Sequence, residues 1–213
     1  MRVDPFKVVR QFEDALAKYT GAPYCVTTTS CTMALLLSLE WMRRKAPAPV
    51  VEIPKRTYVG VAMSVVNSGH LIAFRDEDWL GSYRLEPYPV IDAARLTTSG
   101  MYETGTLMCL SMHWTKVLGV EQGGAILLDD PDADQWLRKA RFDGRTEGMP
   151  AHLDTFTDVG WHAYMSPETA AAGLVRLANL PKHNAPLPNS NYPDLSLAPI
   201  FCRRPARLVD AAE

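Results

Sequence analysis

Apolar positions recur at helical spacing through Val8, Phe12, Ala15 and Leu16 and stop at Gly21, which suits a C-cap. Asp4 and Pro5 form an N-cap and first-turn pair, so the chain is predicted to open with an amphipathic helix. Residues 24–28 read as a short strand, and after Ser30 the run Met33, Ala34, Leu36, Leu37 and Trp41 reads as a largely buried helix. Further short apolar runs fall at 50–53, 71–74, 90–93, 106–112 and 125–128, with helical stretches between some of them. That alternation predicts an α/β fold whose mostly parallel sheet is flanked by helices. Residues 131–142 supply another helix, capped by Asp130, and 167–180 one more.

Beyond Gly148 the texture changes. Pro181, Pro186, Pro188, Pro193, Pro199 and Pro205 interrupt any regular element, so roughly the last thirty residues are expected to be extended or loosely ordered. The chain therefore divides into a main domain, 1–148, and a helix plus Pro-rich extension, 149–213.

With 213 residues, 47% of them apolar, and a net charge of −2, the chain can bury a core and has no overall attraction to nucleic acid or anionic lipid. The basic run Arg43-Arg44-Lys45 falls at a predicted helix end and reads as a solvated cap that suits the helix dipole. Cys25, Cys31, Cys109 and Cys202 form no CxxC pair, which fits reduced thiols better than a disulfide framework or a zinc site. No metal site is expected. No leader-like apolar segment opens the chain, and no run approaches the roughly 18 apolar residues of a membrane span. A cytoplasmic protein is expected.

Three places carry candidate chemistry. Ser30, Cys31 and Thr32 lie between a strand and a helix, where free backbone N–H groups and the helix dipole favour an anion such as a phosphate; an ordinary N-cap looks the same. Asp92 ends an apolar strand, where ligands gather in open α/β sheets, although a lone Asp there also caps turns. Lys116 follows a strand and precedes Gly119 and Gly123-Gly124, which would hold its amine near the sheet edge; most lysines are merely solvated.

Taken together, the order and spacing of these segments resemble the DegT/DnrJ/EryC1/StrS family of pyridoxal-phosphate-dependent sugar aminotransferases, which have fold type I. The matching segments are Phe12-Glu13 through Gly21, Ser30-Cys31-Thr32-Met33-Ala34-Leu35, Thr57-Tyr58, Gly69, Ile91-Asp92-Ala93-Ala94, Ser111-Met112-His113-Trp114-Thr115-Lys116, Gly123-Gly124-Ala125 and Gly160 through Ala172. The Ser-x-His-x-x-Lys segment is the most specific. The resemblance implies pyridoxal 5'-phosphate as cofactor. By it, Lys116 holds the cofactor as a Schiff base and then serves as general base and acid, while Asp92 keeps the pyridinium nitrogen protonated. Tyr58 would stack on the ring, Ser30, Cys31, Thr32 and Ser111 would serve the phosphate, and His113 falls inside the lysine segment.

The sequence also departs from the family. Arg95 stands where the family has Gln or His near the cofactor's phenolic oxygen, and a fixed cation there would stabilise the phenolate. Gly-Glu-Gly-Gly has become Glu121-Gln122-Gly123-Gly124. His162 stands where a family Asn reaches the phosphate of the neighbouring subunit. The family's C-terminal domain is represented by a Pro-rich stub. The resemblance implies an aminotransferase that uses an amino-acid donor and a keto-sugar or similar carbonyl acceptor, built as a homodimer with shared active sites. The alternative is a decarboxylase or lyase acting on a large substrate, such as an amino-acid-modified nucleotide or DNA base, with phage enzymes that tailor modified thymidine as a parallel. Nucleic acid enters only in that form. A non-catalytic member of the fold is the third reading.

Overall fold

The computed structural model describes residues 4–202; Pro205 and the side chain of Cys202 lie outside the described residues. The elements run α1 (Lys7–Thr20), β1 (Tyr24–Thr28), α2 (Cys31–Lys45), β2 (Val50–Pro54), α3 (Val59–Asn67), β3 (Leu71–Arg75), β4 (Tyr83–Leu85), β5 (Val90–Asp92), β6 (Leu107–Ser111), β7 (Gly124–Leu128), α4 (Pro131–Ala140) and α5 (Pro167–Ala178). Gly21 closes α1 in the left-handed region, φ 81°, as the glycine there requires. Asp130 caps α4 through the N–H groups of Asp132 and Ala133. At the start of α1 the expectation needs a small correction. The Asp4 carboxylate does accept the Phe6 N–H, but the helix begins at Lys7, beyond the Asp4-Pro5 turn.

The main sheet has the order β1-β7-β6-β5-β4, and β2 and β3 form a separate parallel pair. A two-way bridge between Glu52 and Glu86 joins the pair to the end of β4. Helices cover both faces of the main sheet. On one side Val9, Phe12 and Leu16 of α1 and Ala170 and Leu177 of α5 pack on Cys25, Met108, Leu110, Ala125 and Leu127. On the other, Leu35 and Leu39 of α2, Val61 of α3 and Leu137 of α4 pack on Val26, Cys109, Ile126 and Leu128. Successive strand residues thus bury on opposite faces, which is why these runs read as continuously apolar.

The mostly parallel sheet is not observed. β5 and β6 are parallel, whereas β1 with β7, β6 with β7 and β4 with β5 are antiparallel. For β4 and β5 the short connection accounts for this: residues 86–89 make a tight hairpin, which forces that pair antiparallel.

The Pro-rich segment is extended, as anticipated, only as far as residue 194; a 3-10 turn at Leu195–Leu197 and a short helix at Pro199–Cys202 follow, and the segment is tied down. Ser99 N–H donates to Lys182 O, Leu187 N–H to Arg95 O, Asn189 Nδ2 to Trp79 O and Leu195 N–H to Lys55 O, while Leu195 itself is buried in the core. Residues 182–198 form a strap across one end of the sheet. Among the described residues, no helix is long and apolar enough to cross a membrane.

Candidate active site

The parallel strands β5 and β6 end side by side at Asp92 and Ser111, and α2 begins opposite them. In α/β sheets this end is where ligands lodge. Here it opens into a cavity of about 390 Å³. Ser30, Cys31, Thr32, Tyr58, Asp92, Arg95, Ser111, His113 and Lys116 all line it.

The start of α2 has the geometry that suits an anion. Ser30 is extended and its hydroxyl accepts the Met33 N–H, 3.2 Å, leaving the amides of Cys31 and Thr32 without helical partners. Strand β7 lies hard against this turn. A Cβ on Gly124 would come 2.4 Å from Ser30 C and 2.5 Å from Cys31 N, so only glycine permits the approach. Ser111 adds a buried hydroxyl from β6.

Lys116 sits in the turn between β6 and β7. Its N–H donates to His113 O, and the turn is closed by Trp114 N–H to Glu121 O and Met112 N–H to Gly123 O. Among the described residues its amine has no ion-pair partner. His113 is exposed and bonds Thr115 Oγ1 through Nδ1, 2.9 Å.

Asp92 is 4% exposed. Oδ1 accepts the Ala94 N–H, 2.9 Å, and Oδ2 accepts the Tyr83 hydroxyl, 2.8 Å. Burial pushes its carboxyl up from the ordinary value, and the Ala94 amide, the Tyr83 hydroxyl and the Lys116 charge pull back without cancelling it. Burial likewise holds the Cys31 and Cys109 thiols up and therefore neutral. No cation lies within ion-pair distance of Asp92 among the described residues. A carboxylate in that state is a ready partner for a protonated heterocyclic nitrogen.

Arg95 points toward the strap: Nη1 donates to Ser190 Oγ, 3.0 Å, and to Tyr192 OH, 3.5 Å, and Nε to Leu187 O, 3.5 Å. Ser190 and Tyr192 thereby join the cavity wall, and Trp79 stacks near Tyr192, with rings 15° apart. Tyr58 is largely exposed at the rim. His162 is not part of this cavity. It bonds Asp143 Oδ2 through Nδ1, 2.9 Å, and packs edge-on against Tyr164 with its side chain 71% exposed.

Sequence reasoning missed Trp79, Tyr83, Ser190 and Tyr192. Tyr83 lies on a strand too short for its alternation to register, and Ser190 and Tyr192 lie in a proline-rich stretch that reads as a linker.

The family model described as the DegT/DnrJ/EryC1/StrS aminotransferase family matches residues 3–87 and 92–186. Among solved structures, the chain is similar to AtS13 from Actinomadura melliaura, with a TM-score of 0.70 and 19% identity over 80% of this chain and 59% of that one. It is similar to the sugar aminotransferase CalS13 from Micromonospora echinospora, with a TM-score of 0.69 and 18% identity over 81% and 60%. It is also similar to Helicobacter pylori PseC, an aminotransferase involved in the biosynthesis of pseudoaminic acid, with a TM-score of 0.66 and 16% identity over 81% and 58%. These likenesses show the fold, that of fold-type-I aminotransferases. The chain spans about three-fifths of the length of each of these proteins.

Proposed function

From the premise that this chain belongs to the DegT/DnrJ/EryC1/StrS aminotransferase family, we propose that it is a pyridoxal-phosphate-dependent aminotransferase. On this reading it takes an amino group from an amino-acid donor and gives it to a keto-sugar or similar carbonyl compound. The observation that carries the reading is one cavity holding a buried carboxylate and a lysine amine, neither with an ion-pair partner among the described residues, and an anion cradle at a helix N-terminus. These residues fit the cofactor's three polar ends, namely ring nitrogen, aldehyde and phosphate.

Bound here, pyridoxal phosphate would supply an electron sink for negative charge at the substrate's α-carbon. Lys116 would hold it and then move a proton at that carbon through Nζ, a role that suits an amine with no ion-pair partner among the described residues. Asp92 would keep a proton on the ring nitrogen. The amides of Cys31 and Thr32, with the Ser30, Thr32 and Ser111 hydroxyls, would bind the phosphate, and Leu35 and Val61 exclude water beside them. Tyr58 would cover the ring, and His113 stands at the mouth. The proposal includes a cytoplasmic homodimer, with His162, exposed on its own protomer, reaching the partner's phosphate.

The test is a visible absorption spectrum of the purified protein with pyridoxal phosphate, for wild type and Lys116→Ala. A visible band in wild type, absent from Lys116→Ala and bleached by glutamate or glutamine with release of the 2-oxo acid, is expected. A band untouched by every amino donor would overturn transamination. Carbon dioxide release without a 2-oxo acid would point to decarboxylation instead.

A further inference from the structure

Asp92 is approached from four sides. Tyr83 faces it from β4, Cys31 from α2, Cys109 from β6 and Lys116 from the turn beyond β6. Both thiols stay protonated, so Lys116 is the one charge in that set. Tyr83 is the closest polar group to Oδ2, and its hydroxyl has a second neighbour, Thr57 Oγ1, at 2.6 Å. Thr57, Tyr83 and Asp92 are 1%, 7% and 4% exposed, so water has little access to the series. A phenol has one hydrogen. Once it is given to the carboxylate, Thr57 must donate to the phenol oxygen, and that second bond polarises the first.

We infer that Tyr83 is a positioning residue for Asp92, holding the carboxylate anionic and fixed toward the cavity, with Thr57 setting the direction of the tyrosine hydroxyl. The inference rests on the proposed function for its purpose, since an anionic Asp92 is what a protonated ring nitrogen needs. Its geometry does not depend on that reading. With Oδ1 bonded by the Ala94 amide and Oδ2 by Tyr83, the carboxylate cannot rotate, and each oxygen keeps a lone pair for a ligand. The antiparallel β4–β5 pairing makes this contact, because it sets Tyr83 directly beside Asp92 in register.

The test uses the cofactor-free protein first. Difference infrared spectroscopy reads the carboxyl protonation of Asp92, with Asp92→Asn as the blank. Tyr83→Phe keeps the ring and removes the hydroxyl. Its midpoint is expected to rise, with proton affinity increased about tenfold or more, as loss of a charge-assisted hydrogen bond dictates. Thr57→Val is expected to move the midpoint in the same direction by less, and it decides the matter if Tyr83→Phe does not fold. A pyridoxal phosphate titration against pH then follows, in which the acid limit of binding is expected to shift upward with the same midpoint. An infrared midpoint unchanged in the folded variants would overturn the inference. Should wild type bind no pyridoxal phosphate at any pH, the proposed function fails, and the infrared midpoint alone decides the role of Tyr83.

Discussion

A carboxylate removed from water with no cation in contact destabilises the fold that holds it. Asp92 is such a group, and because burial raises its folded-state pKa, its contribution to stability is complete below the ordinary value of 3.8 and is lost as pH rises through the folded value. Asp92→Asn keeps the shape and removes the charge. It is expected to unfold at a higher Tm than wild type when both are cofactor-free at neutral pH, by roughly 1 kcal/mol, with the difference shrinking in acid, while losing transamination. Thermal unfolding across pH measures this, and a less stable Asn variant at neutral pH would refute it. Asp92 and Lys116 were legible in the sequence because Asp92 ends a strand and Lys116 follows one, each inside a spaced motif. Tyr83 and Tyr192 were not, because their importance comes from a hairpin and from a distant segment folding back, neither of which leaves a local signal.

At the scale of elements, the site depends on how closely β7 meets the start of α2. Gly124→Ala places a methyl among the backbone atoms of Ser30 and Cys31, which cannot rotate away. The strand or the helix must shift, at a cost of about 2 kcal/mol by analogy with overpacked cores. The cradle opens with it. A lower Tm together with at least about tenfold weaker pyridoxal phosphate affinity is expected from thermal unfolding and fluorescence titration. Normal affinity in the folded variant would show that the cradle does not hold the phosphate. Strand positions were legible because both faces of the central strands are buried and apolar. Strand direction was not, because it depends on how the connecting segments run rather than on the composition of the strands: β5 and β6 are parallel across 93–106 and β6 and β7 antiparallel across 112–123, and neither connection holds a helix.

Across the whole molecule, one buried charge cluster links the outer helices to the sheet. Glu13 of α1 accepts from Arg138 Nη1, 2.7 Å, from Arg141 Nη1 and from the Thr27 amide of β1, 2.9 Å. Burial alone would raise the Glu13 carboxyl, but the Arg141 and Arg138 charges and the Thr27 N–H outweigh it and hold it below 4.5. Its stabilisation is therefore complete above that pH and is lost as pH falls through the lower folded value. Glu13→Gln leaves Arg141, 1% exposed, with only the longer Glu147 contact, 3.4 Å, as counter-ion, which costs about 3 kcal/mol. Denaturant unfolding is expected to show that loss at neutral pH and a flatter decline toward acid than in wild type; an equally steep acid decline would place the acid sensitivity elsewhere. The strap has a further consequence at this scale. It brings Ser190 and Tyr192 to the cavity from a segment outside the sheet, while Asp92 ends β5 and Lys116 sits in the turn between β6 and β7. The groups proposed to do chemistry and the groups that border the substrate space are thus inherited on separate stretches of chain. Selectivity can then drift, or be bred in the laboratory, by exchanging a short cassette while the reactive centre stays as it is.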